Sequence, residues 1–372
     1  MYRAEKSVRY VGFAMKKEIF KVANYTAATI AYLIGSGLAS GQEIIQFFSS
    51  YGLVKSCLAA LIMLSIFCCV TVVTIETGRK KRITEANNIY KVYCGKYLGT
   101  FFTWLTPLIL FSIYAVMISG AGTLSAEYFS VPNRIGRLIM LVLSLGTVLA
   151  GFEKLVSVIA KIGHVIILII IVLSVYSIAK TADWSAASSA AIGEYGFKQA
   201  SPFWFLSGIN YAAFCALTLY PFLAELGGKT NSKKEAVATG LFSSVVFFTI
   251  AMLINFSLLG NISVLAGKEM PAVFIADLLF PRVGGIVYSV ILYSSIYTTA
   301  VPMLWTTCNR IAADDKSVKF KLCAVILAVT AYFIGGLPFS VLINFIYPYI
   351  GYVGIFVFAC LVITVFRRRK SE

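Results

Sequence analysis

Residues 20–49 form a first apolar stretch long enough to cross a lipid bilayer, and its centre reads Ile34-Gly35-Ser36-Gly37-Leu38-Ala39-Ser40-Gly41-Gln42-Glu43. Three glycines within seven residues weaken a helix, and Gln42 and Glu43 are costly at membrane depth. Non-helical backbone survives inside a bilayer only where protein or a water-filled cavity satisfies its polar groups. An interrupted first helix therefore predicts a binding site, because freed carbonyls and amides become ligands for ions and small polar solutes.

The rest of the chain predicts an all-α integral membrane protein. Hydrophobic residues make up 59% of it and charged residues 13%, about half the charged share usual in a soluble domain. Ten spans are expected, at 20–49, 53–78, 99–128, 134–151, 154–180, 202–226, 235–260, 283–309, 320–337 and 339–366. A cleavable signal peptide is not expected, since the first apolar run is long, internally polar and without a cleavage pattern. Two longer connections carry their own pattern. Lys80 to Leu98 suits an interfacial helix, with Ile83, Ile89, Tyr90, Val92 and Tyr93 among charges. Met270 to Phe280 suggests a short helix across the opposite face.

The net charge of +16 sits in short basic blocks between apolar runs. That is topology information, not the continuous patch that binds nucleic acid. With the N-terminus in the cytoplasm, inner segments hold 24 basic residues and outer segments hold seven. The ratio predicts both termini inside: a basic segment 1–19, a ten-helix unit 20–366 and a basic tail 367–372. The eight cysteines lack metal-binding spacing. No HExxH, His cluster or nucleophile–base pair suggests an enzyme, and no cofactor is expected.

Ten helices divide as five plus five, about 20–180 and 202–366. The sixth helix would then be the inverted partner of the first. It too reads as interrupted, at Ser207-Gly208-Ile209-Asn210, with Pro221 further on. Two interrupted helices at corresponding positions point to inverted repeats around a central solute site.

The string Gly35 to Glu43 resembles the first-helix motif of the YkvI-type bacterial membrane proteins, which lie near the amino acid–polyamine–organocation superfamily. Ser119-Gly120-Ala121-Gly122 and the ten-helix length are similar too. The resemblance implies a LeuT-like fold, with 5+5 inverted repeats and interrupted helices 1 and 6. It implies a secondary active transporter in the bacterial plasma membrane, carrying an amino acid or related amine coupled to sodium or protons. The alternative is a permease-like receptor of the germinant type, which binds a small solute without moving it. In the LeuT fold, helices 1, 6, 3 and 8 build the solute site, and a cation site lies between helices 1 and 8.

On these grounds Gly35, Ser36, Gly37, Ser40, Gln42, Tyr114, Ser207, Gly208 and Asn210 are expected to contact solute. Glycine backbone and the N-terminus of the following half-helix suit a carboxylate. Ser294, Ser295 and Thr298 of Tyr293-Ser294-Ser295-Ile296-Tyr297-Thr298-Thr299 are expected as oxygen ligands of a cation, by likeness to the paired hydroxyls of helix 8 in LeuT-fold symporters. Their ordinary role would be bonding back to their own helix. Glu43 is the deepest acid, and an intramembrane carboxylate marks an ion path or proton relay. Lys161 and His164, three residues apart on helix 5, are its expected partners in proton coupling. In some proton-coupled members of the superfamily a helix 5 lysine stands in for sodium. Glu76, Glu127 and Glu225 lie near span ends and read as interfacial anchors.

Overall fold

The computed structural model describes residues 2–82, 88–181, 184, 187, 189–312 and 314–369, with backbone alone at 2–17, 152–164, 189–191 and 368–369. Among the described residues the chain is helical throughout. The first apolar stretch makes three pieces: α1 (Tyr2–Leu33), α2 (Ser36–Ser40) and α3 (Gln42–Phe47). Then come α4 (Leu53–Lys81), α5 (Ile89–Tyr128), α6 (Asn133–Ala150), α7 (Phe152–Lys180) and the short α8 (Ser189–Glu194). The second half holds α9 (Trp204–Gly228), α10 (Lys233–Leu259), the short α11 (Pro271–Leu279), α12 (Gly284–Ile311), α13 (Val318–Ile334) and α14 (Phe339–Arg369). Among the described residues, seven helices are long and apolar enough to cross a membrane: α4, α5, α6, α9, α10, α12 and α14.

Burial follows the inside-out logic of a bilayer. Large apolar side chains such as Leu61, Leu108, Val142, Leu168, Phe242, Val290 and Phe345 stay exposed, while Ser36, Glu43, Gln46, Ser207, Asn210, Asn255 and Ser295 are buried. Hydrocarbon solvates the first set, and only other protein groups can satisfy the second. Small residues bring helices together where no hydrophobic force separates protein from lipid. The α4–α9 seam shows this: a Cβ on Gly208 would collide with the Ala59 carbonyl, one on Gly227 with that of Ile75, and one on Gly78 with that of Ala224.

The sixth-helix expectation needs correction. α9 runs unbroken through Ser207–Asn210 and past Pro221. Gly208 reads as a helix breaker in sequence, but here it is the point where α9 touches the α4 backbone. Proline removes the donor that would serve the carbonyl four residues earlier. For Pro221 that carbonyl is Leu217, and the Tyr90 hydroxyl donates to it at 2.6 Å. Pro348 of α14 frees the Asn344 carbonyl in the same way, and Gln46 Nε2 donates to it at 3.2 Å. Supplying these lost bonds from neighbouring helices lets both prolines sit inside continuous helices.

The connection after α4 also differs from expectation. Gly95, at φ 75°, ψ −175°, turns the chain sharply inside α5. The turn preceding it buries Ile89, Tyr90 and Tyr93 under the bundle, so these residues face protein and not the membrane interface. Ile83 lies outside the described residues.

Candidate functional site

The break in the first helix lies where α2 meets α12 and α5, and where α3 meets α9, α10 and α14. Gly35 is extended, at φ −105°, ψ −168°, and releases the Ile34 carbonyl from the helix ladder. Two hydroxyls of α12 donate to that oxygen: Ser295 Oγ at 3.2 Å and Thr299 Oγ1 at 3.0 Å. Gly41 makes a second break in the left-handed region, at φ 85°. A glycine is required there, because a side chain would be strained by φ and would meet Leu258 at 3.0 Å. The Tyr288 hydroxyl donates to the Ala39 carbonyl at 2.7 Å, tying α2 to α12 once more.

Past the second break stands Glu43, 5% exposed. Tyr211 of α9 donates its hydroxyl to Glu43 Oε1 at 2.5 Å. The other oxygen, Oε2, leans over the bare Cα of Gly37, and the Tyr347 ring edge lies there too. Cys215 and Tyr347 also face the carboxyl group. Among the described residues no lysine, arginine or histidine pairs with it; the acids that do find cations are Glu76, Glu225 and Glu235. Aromatic rings close the surroundings. Tyr211 lies 5.0 Å, centroid to centroid, from both Phe47 and Phe48, and Phe214 stacks on Tyr347 at 4.5 Å.

Several expected site residues meet here. Gly35, Ser36, Gly37, Ser40 and Glu43 are buried in one short stretch, and Ser295 reaches it from α12. Ser36 lies against Gly120 of α5. Ser40 serves its own segment, donating to the Gly37 carbonyl and accepting from the Gln42 amide. Gln42 is half-buried.

Others point elsewhere. Tyr114 pairs with Ser144 of α6 at 2.8 Å, so its hydroxyl is used between α5 and α6. Ser207 donates to the Phe47 carbonyl at 2.7 Å and caps the end of α3. Asn210 donates to the Pro348 carbonyl at 3.1 Å, with its oxygen packed on Gly351; it fastens α9 to α14. Ser294 is half-buried and bonds back to the Val290 carbonyl of its own helix. Thr298 bonds back to Ser295. The side chains of Lys161 and His164 lie outside the described residues.

The hydroxyl pair that reaches the break is thus Ser295 with Thr299. Residues four apart share a helix face, whereas neighbours stand about 100° apart. That spacing was in the sequence and favoured Thr299 over Ser294. Tyr211, Tyr347 and Gln46 carried no comparable signal, since nothing local separates them from the other aromatic and amide residues of the chain.

Ile34 O, Ser295 Oγ and Thr299 Oγ1 form a cluster of hard oxygens between α1 and α12, the donor type that suits a small monovalent cation. The two hydroxyls also have a plain structural task. A carbonyl left without a donor inside the bundle costs about 1–3 kcal/mol. Replacing both, Ser295→Ala with Thr299→Val, is expected to lower the melting temperature of the purified protein by several degrees. Ser294→Ala should leave it unchanged. A thermal melt of the two variants in detergent checks this.

The chain matches no protein-family profile. It is 24% identical over 356 residues to the uncharacterized membrane protein YkvI of Bacillus subtilis, covering 92% of this chain and 95% of YkvI. Its fold matches that of MhsT, solved in complex with L-phenylalanine, at a TM-score of 0.60 and 13% identity, over 90% of this chain and 87% of MhsT. It also matches a point mutant of the manganese transporter of Eremococcus coleocola, at 0.58 and 14%, over 92% and 77%. The chain therefore has the LeuT fold, and its likeness to YkvI-type bacterial membrane proteins runs through nearly its whole length.

Proposed function

We propose that the chain is a secondary active transporter of a small organic solute, an amino acid or related amine, coupled to protons through Glu43. In this reading it forms ten transmembrane helices in two inverted repeats, 20–180 and 202–366, with both termini cytoplasmic in the bacterial plasma membrane. The observation that carries the reading is a single juxtaposition. The broken first helix places a buried carboxyl group, held by one tyrosine and no described cation, at the crossing of α2, α3, α9 and α14. A carboxyl group in that setting is far cheaper neutral than charged. Gaining and losing a proton there changes what the site can hold, which is the requirement for coupling. The loss of the sixth-helix break shifts the weight of solute binding onto the first helix.

The test is reconstitution in liposomes with an imposed pH gradient of either polarity, and uptake of radiolabelled amino acids and amines. Accumulation should follow the gradient, collapse with a protonophore and persist when potassium replaces sodium. Loss of uptake without sodium would move coupling to Ile34, Ser295 and Thr299. Saturable binding with no flux under any gradient would make the chain a receptor.

A further inference from the structure

We infer that the solute is a cationic amine whose ammonium group and the coupling proton compete for one position, the Glu43 carboxylate, so that the chain exchanges amine for proton. The inference rests on the transport reading above and adds the solute's charge and the direction of coupling.

Among the described residues, the side chains that face Glu43 are two tyrosines and a cysteine, neutral groups with ring faces. Tyr211 supplies one hydroxyl, to Oε1. One helical turn along α3, on the same face, Gln46 is 2% exposed. Its nitrogen gives one hydrogen to the Asn344 carbonyl, and Gln46 Oε1 is buried without a partner. A zwitterion's carboxylate placed against Glu43 would meet another carboxylate, and the unpartnered hydroxyl of this stretch, Ser36 Oγ, lies across the break on α2. An ammonium group would find two acceptors and the faces of aromatic rings, the usual surroundings of an organic cation. The rings that face it are Tyr211 and Tyr347, with Phe214 stacked behind. A hard divalent cation would require about six oxygen ligands, which one carboxylate and one amide oxygen do not provide.

The exchange follows from charge. Among the described residues, the titratable groups that face Glu43 are Tyr211 and Cys215 from α9 and Tyr347 from α14, and none of them brings a positive charge. Two states of the site are neutral: the protonated carboxyl group, and the carboxylate paired with ammonium. A bare carboxylate, or an ammonium beside a protonated carboxyl group, leaves an unbalanced buried charge. Only the two neutral states cross between membrane faces at low cost. Each amine that enters displaces one proton to water, and each proton that binds releases one amine.

The experiment uses the full chain in detergent with phenethylamine, putrescine and tetramethylammonium as cationic probes, and L-phenylalanine and phenethyl alcohol as zwitterionic and neutral comparators. Binding is read by thermal shift and by calorimetry in two buffers of different ionisation enthalpy. At least one cation should bind with release of about one proton, and its affinity should weaken about tenfold per pH unit on the acid side. Glu43→Gln should lose at least tenfold in affinity and all proton release, while Glu43→Asp keeps the release. No cation binding at any pH, cation binding without proton release, or equal affinity in Glu43→Gln overturns the inference. Proton-driven uptake of L-phenylalanine alone would sustain the transport reading and end this one. Amine binding with proton release but no flux would do the reverse.

Discussion

Solute uptake by Gly37→Leu is expected to fall by about 100-fold or more, the loss that follows when a binding group is displaced by an ångström. Gly37 is a helical residue of α2, and its missing side chain makes room for two groups. A Cβ there would collide with Glu43 Oε2 and lie 2.9 Å from the Tyr347 ring. The glutamate cannot retreat far, because Tyr211 holds its other oxygen at 2.5 Å. A leucine must therefore push the carboxyl group off Tyr211, move the Tyr347 ring, or both. Gly37→Ala gives the graded case. Alanine favours a helix over glycine by about 1 kcal/mol, and a strained contact in a packed interior costs about 1–3 kcal/mol. Stability should change little while uptake still drops. The check is uptake in proteoliposomes beside a thermal melt and a size-exclusion profile, which separate a damaged site from a misfolded chain. Unchanged uptake in Gly37→Leu would remove the break from the solute path.

The first helix was legible in the sequence because its signal is local. Three glycines and two polar residues within one span admit few explanations in a bilayer, and the backbone does break at Gly35 and again at Gly41. The sixth helix carried a similar local pattern and gave a different result. Gly208 and Pro221 can each open a helix. Whether they do depends on what stands opposite: the Ala59 carbonyl for one, and the Tyr90 hydroxyl serving Leu217 for the other. Both partners are more than a hundred residues away, and no local rule sees them. Hydroxyl residues failed in the same manner. Tyr114 and Ser294 have the right chemistry, but one faces Ser144 and the other its own helix. Side-chain direction is settled by packing, so the break in the first helix could be read from the sequence, while what packs on it from α9, α12 and α14 could be read only in part.

Glu43→Gln should abolish accumulation driven by a pH gradient and leave any residual flux stopping at equal concentrations on the two sides. Glutamine keeps the shape of the carboxyl group and the acceptor that Tyr211 needs, so the α3–α9 contact survives and the fold should hold. What it removes is the titration. A group fixed in the neutral form can neither take up a proton on one side nor deliver it on the other, and a pH gradient then has no grip on the cycle. Tyr211→Phe is the companion variant. It deletes the hydroxyl that donates at 2.5 Å but leaves the carboxyl group free to titrate. It should therefore keep gradient-driven uptake, which separates loss of the hydrogen bond from loss of the titrating group. The measurement is accumulation against pH in proteoliposomes for wild type, Glu43→Gln and Tyr211→Phe, with solute counterflow run in parallel. If Glu43→Gln accumulates solute as the wild type does, the proton is carried elsewhere. Lys161 and His164 on α7 would be the next residues to test, and the buried carboxyl group would be a structural link between α3 and α9.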